Sequence, residues 1–144
     1  MKGELITLQN FKTIPNADIP LFNVLSFGKY RKNKLNSTGI ILYGKLYQYL
    51  HSSVEKGYIN TNRDNALYVK ERQEDIWKFL HMSGETLRKY LKLLVALDLI
   101  EIDKKGSRFV DEIYLRYPVR EGLTEKEEAL LRAEEQGLDY PDID

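Results

Sequence analysis

Apolar spacing sets the first expectations. Ile40, Tyr43, Leu46, Tyr47, Leu50 and Val54 recur at steps of three and four, which predicts a helix from Ser37 with one buried stripe, ending before Gly57. Ahead of it Pro15 and Pro20 interrupt any regular pattern, so residues 1 to 36 read as an extended arm with one short helix around Leu21 to Phe27. After Gly57, Tyr58-Ile59-Asn60 and Leu67-Tyr68-Val69 flank the polar segment Thr61-Asn62-Arg63-Asp64-Asn65-Ala66. Asn and Asp tolerate turn geometry, and a short hairpin follows.

The stretch from Tyr68 to Leu115 is the most informative. Glu71 to Leu80 predicts a helix with Ile76, Phe79 and Leu80 on one side, and His81-Met82-Ser83 interrupts it. Ser83 can cap a second helix by accepting hydrogen bonds from its first turn, and Glu85 complements the positive helix end. Leu87, Leu91, Leu94 and Leu97 form the buried stripe of that helix, while Glu85, Lys89, Lys92 and Ala96 lie opposite Leu87 with Arg88 beside them. After Asp98 the period changes to that of strands. Leu99 to Ile102 and Phe109 to Leu115 predict a hairpin whose turn, Asp103 to Arg108, carries Lys104, Lys105 and Arg108. Pro118 ends it. Thr124 and Glu127 then form a capping box before a short terminal helix that stops near Gly137.

Helix, turn, helix and a basic hairpin is the order of a winged helix-turn-helix. The fold class expected is therefore α+β, mainly helical, with a short N-terminal arm and an acidic C-terminal helix or tail. In such units the second helix enters the major groove with its first residues nearest the base edges. Those positions hold Ser83, Gly84, Glu85, Thr86, Arg88 and Lys89. Arg88 or Lys89 suits guanine, Glu85 suits cytosine, and Thr86 suits a hydrogen bond or a thymine methyl. Lys92, Lys104, Lys105 and Arg108 are placed for phosphates, which position a protein without reading sequence.

Net charge bears on this reading only after it is divided. The 144 residues hold 22 basic and 22 acidic groups, and a neutral total argues against a polyanionic partner. Residues 123 to 144 carry eight acids against Lys126 and Arg132, a charge of −6, so residues 1 to 122 carry +6. A field depends on where the charges sit. The chain is thus expected to divide into a winged-helix domain, 1–122, and an acidic tail or linker, 123–144, which either projects elsewhere or competes with phosphate. The run Lys29-Tyr30-Arg31-Lys32-Asn33-Lys34 is a second basic feature, suited either to phosphates or to a solvated mobile loop.

Other chemistry finds little support. Cysteine is absent and the two histidines, His51 and His81, lack ligand spacing, so no metal or cofactor is expected. No phosphate-binding glycine loop and no nucleophile-base arrangement stands out, and Glu71, Glu74 and Asp75 are better explained by a helix dipole than by catalysis. A non-enzymatic protein is expected. No apolar run approaches a membrane span and no signal peptide is evident, which implies a cytoplasmic location. Most tyrosines, including Tyr43, Tyr47 and Tyr90, and also Trp77, fall beside core stripes and read as packing residues.

Beyond these patterns, Phe11-Lys12-Thr13-Ile14-Pro15, Leu35-Asn36-Ser37-Thr38-Gly39-Ile40-Ile41-Leu42-Tyr43-Gly44-Lys45-Leu46, the corner Lys56-Gly57-Tyr58-Ile59-Asn60, and the helix-turn-helix ending Leu97-Asp98-Leu99-Ile100-Glu101 resemble the N-terminal domain of RepA_N-type plasmid replication initiators of Gram-positive bacteria. The resemblance covers about residues 8 to 117. It implies a homodimeric winged helix that binds repeated sites in a plasmid replication origin, with Ser83 to Asp98 as recognition helix and Lys104 to Arg108 as wing. Family members carry a further C-terminal domain that engages host replication proteins, whereas this chain ends in acidic sequence; Pro20 to Lys34 is longer and more basic than the family pattern. Two rival readings share the fold: a transcriptional regulator of a plasmid, phage or mobile element, and a module whose winged helix binds protein.

Overall fold

A computed structural model of the chain describes residues 2–14, 18–106 and 108–135. Pro15, Ser107 and the stretch from Gln136 to Asp144, which includes the expected helix stop at Gly137, lie outside the described residues. A 3-10 turn at Asn23–Ser26 precedes α1 (Gly28–Lys32), α2 (Ser37–Lys56), β1 (Ile59–Asn60), β2 (Ala66–Val69), α3 (Gln73–Phe79), α4 (Gly84–Ala96), β3 (Ile100–Asp103), β4 (Glu112–Leu115) and α5 (Glu125–Glu135). The chain is α+β and mainly helical, as its patterning predicts.

Helix α2 is the central beam. Asn36 caps its start, its side chain accepting from the Gly39 amide at 3.2 Å, and Gly57 ends it in the left-handed conformation at φ 74°. Leu42, Tyr43, Leu46, Tyr47 and Leu50 are wholly or almost wholly buried against the sheet and α4, while Val54, at the end of the stripe, is partly exposed. The four strands lie in the order β1-β2-β4-β3, all antiparallel. Strand β2 meets β4 at Tyr68↔Tyr114 and Val69↔Ile113, and β3 meets β4 from Ile100↔Leu115 to Asp103↔Glu112.

The N-terminal arm is part of the fold. Where β2 and β4 diverge, residues 4 to 8 enter between them: Ile6 N–H donates to Leu115 O at 2.9 Å, and Leu67 N–H donates to Ile6 O at 3.1 Å. Ile6 is fully buried. Tyrosine hydroxyls tie the arm and the post-β4 segment to the helices. Tyr47 donates to Lys12 O at 2.6 Å, Tyr43 to Arg116 O at 2.7 Å and Tyr117 to Asn10 O at 2.7 Å, while Tyr30 accepts from the Val119 amide at 2.9 Å. The short helix expected at Leu21 to Phe27 is a single 3-10 turn, and the regular helix starts after it, at Gly28.

Two further details depart from the sequence pattern. Phe79, expected beside Ile76 in the core, is half exposed, because its ring lies over the Lys45 ammonium at 3.3 Å instead of entering the core that Ile76 fills. The returning strand begins at Glu112 and not at Phe109. Asp111 turns its carboxylate to accept the Lys105 amide at 3.2 Å, and Phe109 N–H bonds to Gly106 O at 3.2 Å, which closes a local turn in place of strand pairing.

The capping box at the head of α5 is reciprocal. Thr124 N–H donates to Glu127 Oε1 at 3.0 Å and Glu127 N–H to Thr124 Oγ1 at 3.1 Å. The helix rests on the body: Leu131 and Ala133 are buried, and Glu127 Oε2 accepts from the Gly28 amide at 3.0 Å. Asn23 donates to Glu134 at 2.7 Å, and Arg120 pairs with Glu135. The basic run beginning at Lys29 is therefore not a solvated loop at its start. It forms α1, where Lys29 pairs with Glu121 at 3.6 Å and Arg31 with Glu127 at 3.4 Å.

Candidate nucleic-acid interface

Helix α4 is placed by its two ends. At its start, His81 takes φ 53°, a left-handed conformation that turns the chain sharply after α3, and Met82 N–H closes back on Trp77 O at 3.0 Å. Ser83 accepts from the Thr86 amide at 3.0 Å and donates to Thr86 Oγ1 at 2.9 Å. Its hydroxyl is thus committed to the cap. At the other end Asp98, at φ 58°, takes the position glycine usually fills. The amides of Asp98 and Leu99 return to Val95 O at 3.1 Å and Leu94 O at 3.0 Å, the Schellman pattern. Leu87, Leu91, Leu94 and Leu97 are buried, so rotation about the helix axis is fixed and Glu85, Arg88, Lys89 and Lys92 face outward.

Gly84 has a spatial role at the helix start. A Cβ there would lie 3.3 Å from both Arg88 Nη1 and Trp77 Nε1. The guanidinium therefore lies along the first turn beside the partly buried indole, and Lys89 extends along the neighbouring Tyr90 ring at 5.6 Å. Arg88 and Lys92 of α4 and Lys104 of the hairpin line a common groove of about 380 Å³, together with Gln73 at the head of α3, Leu91, Val95, Ile102 and Asp111. Three cations assigned from separate stretches of sequence thus share one cleft with an apolar floor. Among the described residues, no carboxylate comes within 4 Å of the charged nitrogens of Arg88, Lys89, Lys92, Lys104 or Arg108.

Lys105 differs. Its ammonium lies 2.8 Å from Asp103 and 3.6 Å from Glu112, bridging the two strands of the hairpin. The hydrogen bond to Asp103, reinforced by the charge of Glu112, raises its pKa above the usual lysine value. This lysine braces the hairpin from within. Arg108 and Phe109 stand outside that brace, both exposed. Sequence reasoning missed Gln73, Val95, Ile102 and Asp111 as groove-lining residues and Phe109 as an exposed one; an apolar residue in a strand-like run gives no sign that it faces water.

Helix α3, its turn, helix α4 and the β3–β4 hairpin on a shared sheet with β2 define a winged-helix domain. No family model matches the chain, and no curated protein matches it in sequence. Solved structures do. An N-terminal domain of a DNA-binding protein superposes with a TM-score of 0.67 at 21% identity, over 96% of this chain and 99% of that one. A Rep–DNA complex gives 0.67 at 23% identity over 95% and 98%, and an MDR initiator gives 0.62 at 18% over 90% and 100%. Near-complete coverage on both sides shows that the shared unit is the whole fold, including the arm and the sheet, and not the helix-turn-helix alone.

Among the described residues no helix is long and apolar enough to cross a membrane, and no group of three or more His, Cys, Asp or Glu side chains is arranged to hold a metal ion.

Proposed function

We propose that this chain binds duplex DNA sequence-specifically, with α4 in the major groove and the wing against the backbone, and that it acts without a catalytic step as a dimeric replication initiator at repeated sites of a plasmid origin. One observation carries the reading: Arg88 and Lys92 of α4 and Lys104 of the wing, all without carboxylate partners among the described residues, line one groove. Likeness in fold to a Rep–DNA complex and to an MDR initiator supports it. A groove with cations on both walls suits a sugar-phosphate strand, which leaves Thr86, Arg88 and Lys89 near base edges.

The test is fluorescence anisotropy with duplexes selected from a random pool and with fragments of the DNA surrounding the gene. Replacing Lys92 and Lys104 by alanine lowers affinity for all duplexes and flattens the slope of log affinity against log salt by about one for each phosphate left without its lysine. Replacing Arg88 and Lys89 costs about 1–3 kcal/mol for each base they read and relaxes sequence preference. Unchanged affinity of the Arg88→Ala, Lys89→Ala variant for its best site refutes the assignment of α4. Sites arrayed as repeats within an origin support initiation; a single operator over a promoter supports regulation instead.

A further inference from the structure

Phe109 is the most exposed large hydrophobic side chain among the described residues, at 70%. The other exposed phenylalanine ring among the described residues has a covering role: Phe79 lies on the Lys45 ammonium. Phe109 follows Arg108 at the end of the wing turn, and its ring borders a shallow cleft with Gln73 at the head of α3 and with Ile102 and Ile113 of the hairpin. Lys105 bridges Asp103 and Glu112, its amide bonds to Asp111, and Phe109 N–H bonds to Gly106 O. Most of the ring is left open to solvent at the mouth of that cleft.

We propose that Phe109 is a wedge that enters a base step of the minor groove, guided by Arg108, and that it unstacks and kinks the duplex. This rests on the DNA-binding reading above and deepens it. If a sugar-phosphate strand occupies the groove between α4 and Lys104, the major groove lies on the helix side of that strand and the minor groove lies on its other side, where the wing continues. Past Lys104, with Lys105 committed to Asp103 and Glu112, the exposed wing residues include a cation, Arg108, and a phenylalanine, Phe109. Apolar wedges flanked by Arg or Lys are the means by which proteins partly unstack a step and bend the duplex toward the major groove. Pyrimidine–purine steps, which open at least cost, are the preferred target. Phe109 is not part of the buried core, so the ring's exposure fits a contact made on DNA.

The experiment uses the full chain and a duplex selected by it from a random pool, with 2-aminopurine placed in turn at each step of the site and with end-labelled dyes to report bending. Anisotropy on the same samples reports occupancy. At full occupancy the wild-type protein gives a several-fold rise in 2-aminopurine fluorescence at one step and a shortened end-to-end distance. Phe109→Ala abolishes both while keeping affinity within about tenfold, and Phe109→Trp retains both. Circular dichroism shows the variants folded. Saturated binding without a rise at any step, or a Phe109→Ala complex as bent and unstacked as the wild type, overturns the wedge and leaves the DNA-binding reading standing. Failure of the wild-type protein to select or bind any duplex overturns both.

Discussion

Replacing Glu127 by glutamine should loosen the attachment of α5, and the structure supplies the size of the effect. The carboxylate, 9% exposed, accepts from the amides of Thr124 and Gly28, each at 3.0 Å, and faces the Arg31 guanidinium at 3.4 Å. Burial acts to raise its pKa, but the two amides and the guanidinium outweigh burial and pull it from 4.5 down to about 2. That difference corresponds to about 3.4 kcal/mol at 1.36 per unit. Arg31 is half exposed, so screening reduces the usable part to about 2 kcal/mol. Glutamine keeps the shape and one acceptor but loses the charge, so Glu127→Gln should cost about 2 kcal/mol, seen as a fall in Tm of about 5–8 °C for a chain of this size. Glu125→Gln, exposed in the same turn, should stay within about 0.5 kcal/mol.

The pH dependence has a definite sign. A carboxylate whose folded pKa lies below its unfolded value contributes its full stability above about 4.5 and loses it as the pH falls toward about 2. Thermal melts of both variants between pH 7 and pH 2.5 are the assay, with hydrogen exchange at the Gly28 amide as local readout. Wild type should lose its advantage over Glu127→Gln progressively below pH 4.5. If the two proteins melt together at pH 7, or if their difference persists unchanged at pH 2.5, the carboxylate is not what fastens α5.

Two further substitutions separate local propensity from packing. Gly44 lies inside α2, where alanine ordinarily stabilises by about 1 kcal/mol, yet a Cβ there would fall 2.2 Å from Pro20 O and 2.8 Å from Ile19 Cγ2. Gly44→Ala should therefore destabilise by about 1–3 kcal/mol in urea unfolding, and a stabilised variant would show that the Ile19–Pro20 segment does not press on α2. Ser83→Ala removes the cap of α4 and should cost about 1 kcal/mol, with Ser83→Gly recovering most of it in the same assay.

The elements of the winged helix were legible because their signals are local. Leu87, Leu91 and Leu94 mark a face, Ser83 marks a start, and Thr124 with Glu127 marks another; each can be read within one or two turns of chain. What was not legible depends on contacts distant in sequence. Nothing near Ile6 says that it enters between β2 and β4, because its partners are Leu67 and Leu115. Phe79 has the spacing of a core residue, and only the position of Lys45 on another helix explains why its ring is half exposed. The grouping of Arg88 and Lys92 with Lys104 likewise required the hairpin to fold back beside α4. In each case residue type was readable and its environment was not.

The neutral total charge conceals a division by pairing. Acids of residues 121 to 135 meet cations of the body at Lys29 with Glu121, Arg31 with Glu127 and Arg120 with Glu135. On the outer face of the sheet Glu101 holds Arg63 at 2.7 Å and Arg116 at 2.8 Å. These pairs remove five arginines and lysines from any field felt by a polyanion at short range, since opposite charges a few ångströms apart cancel within a Debye length. The cations of α4 and Lys104 and Arg108 of the wing have no such partners among the described residues. The described part of the acidic segment therefore neutralises the α1 side and not the recognition helix, and the salt dependence of DNA binding should follow Lys92 and Lys104 while responding weakly to Lys29→Ala or Arg31→Ala.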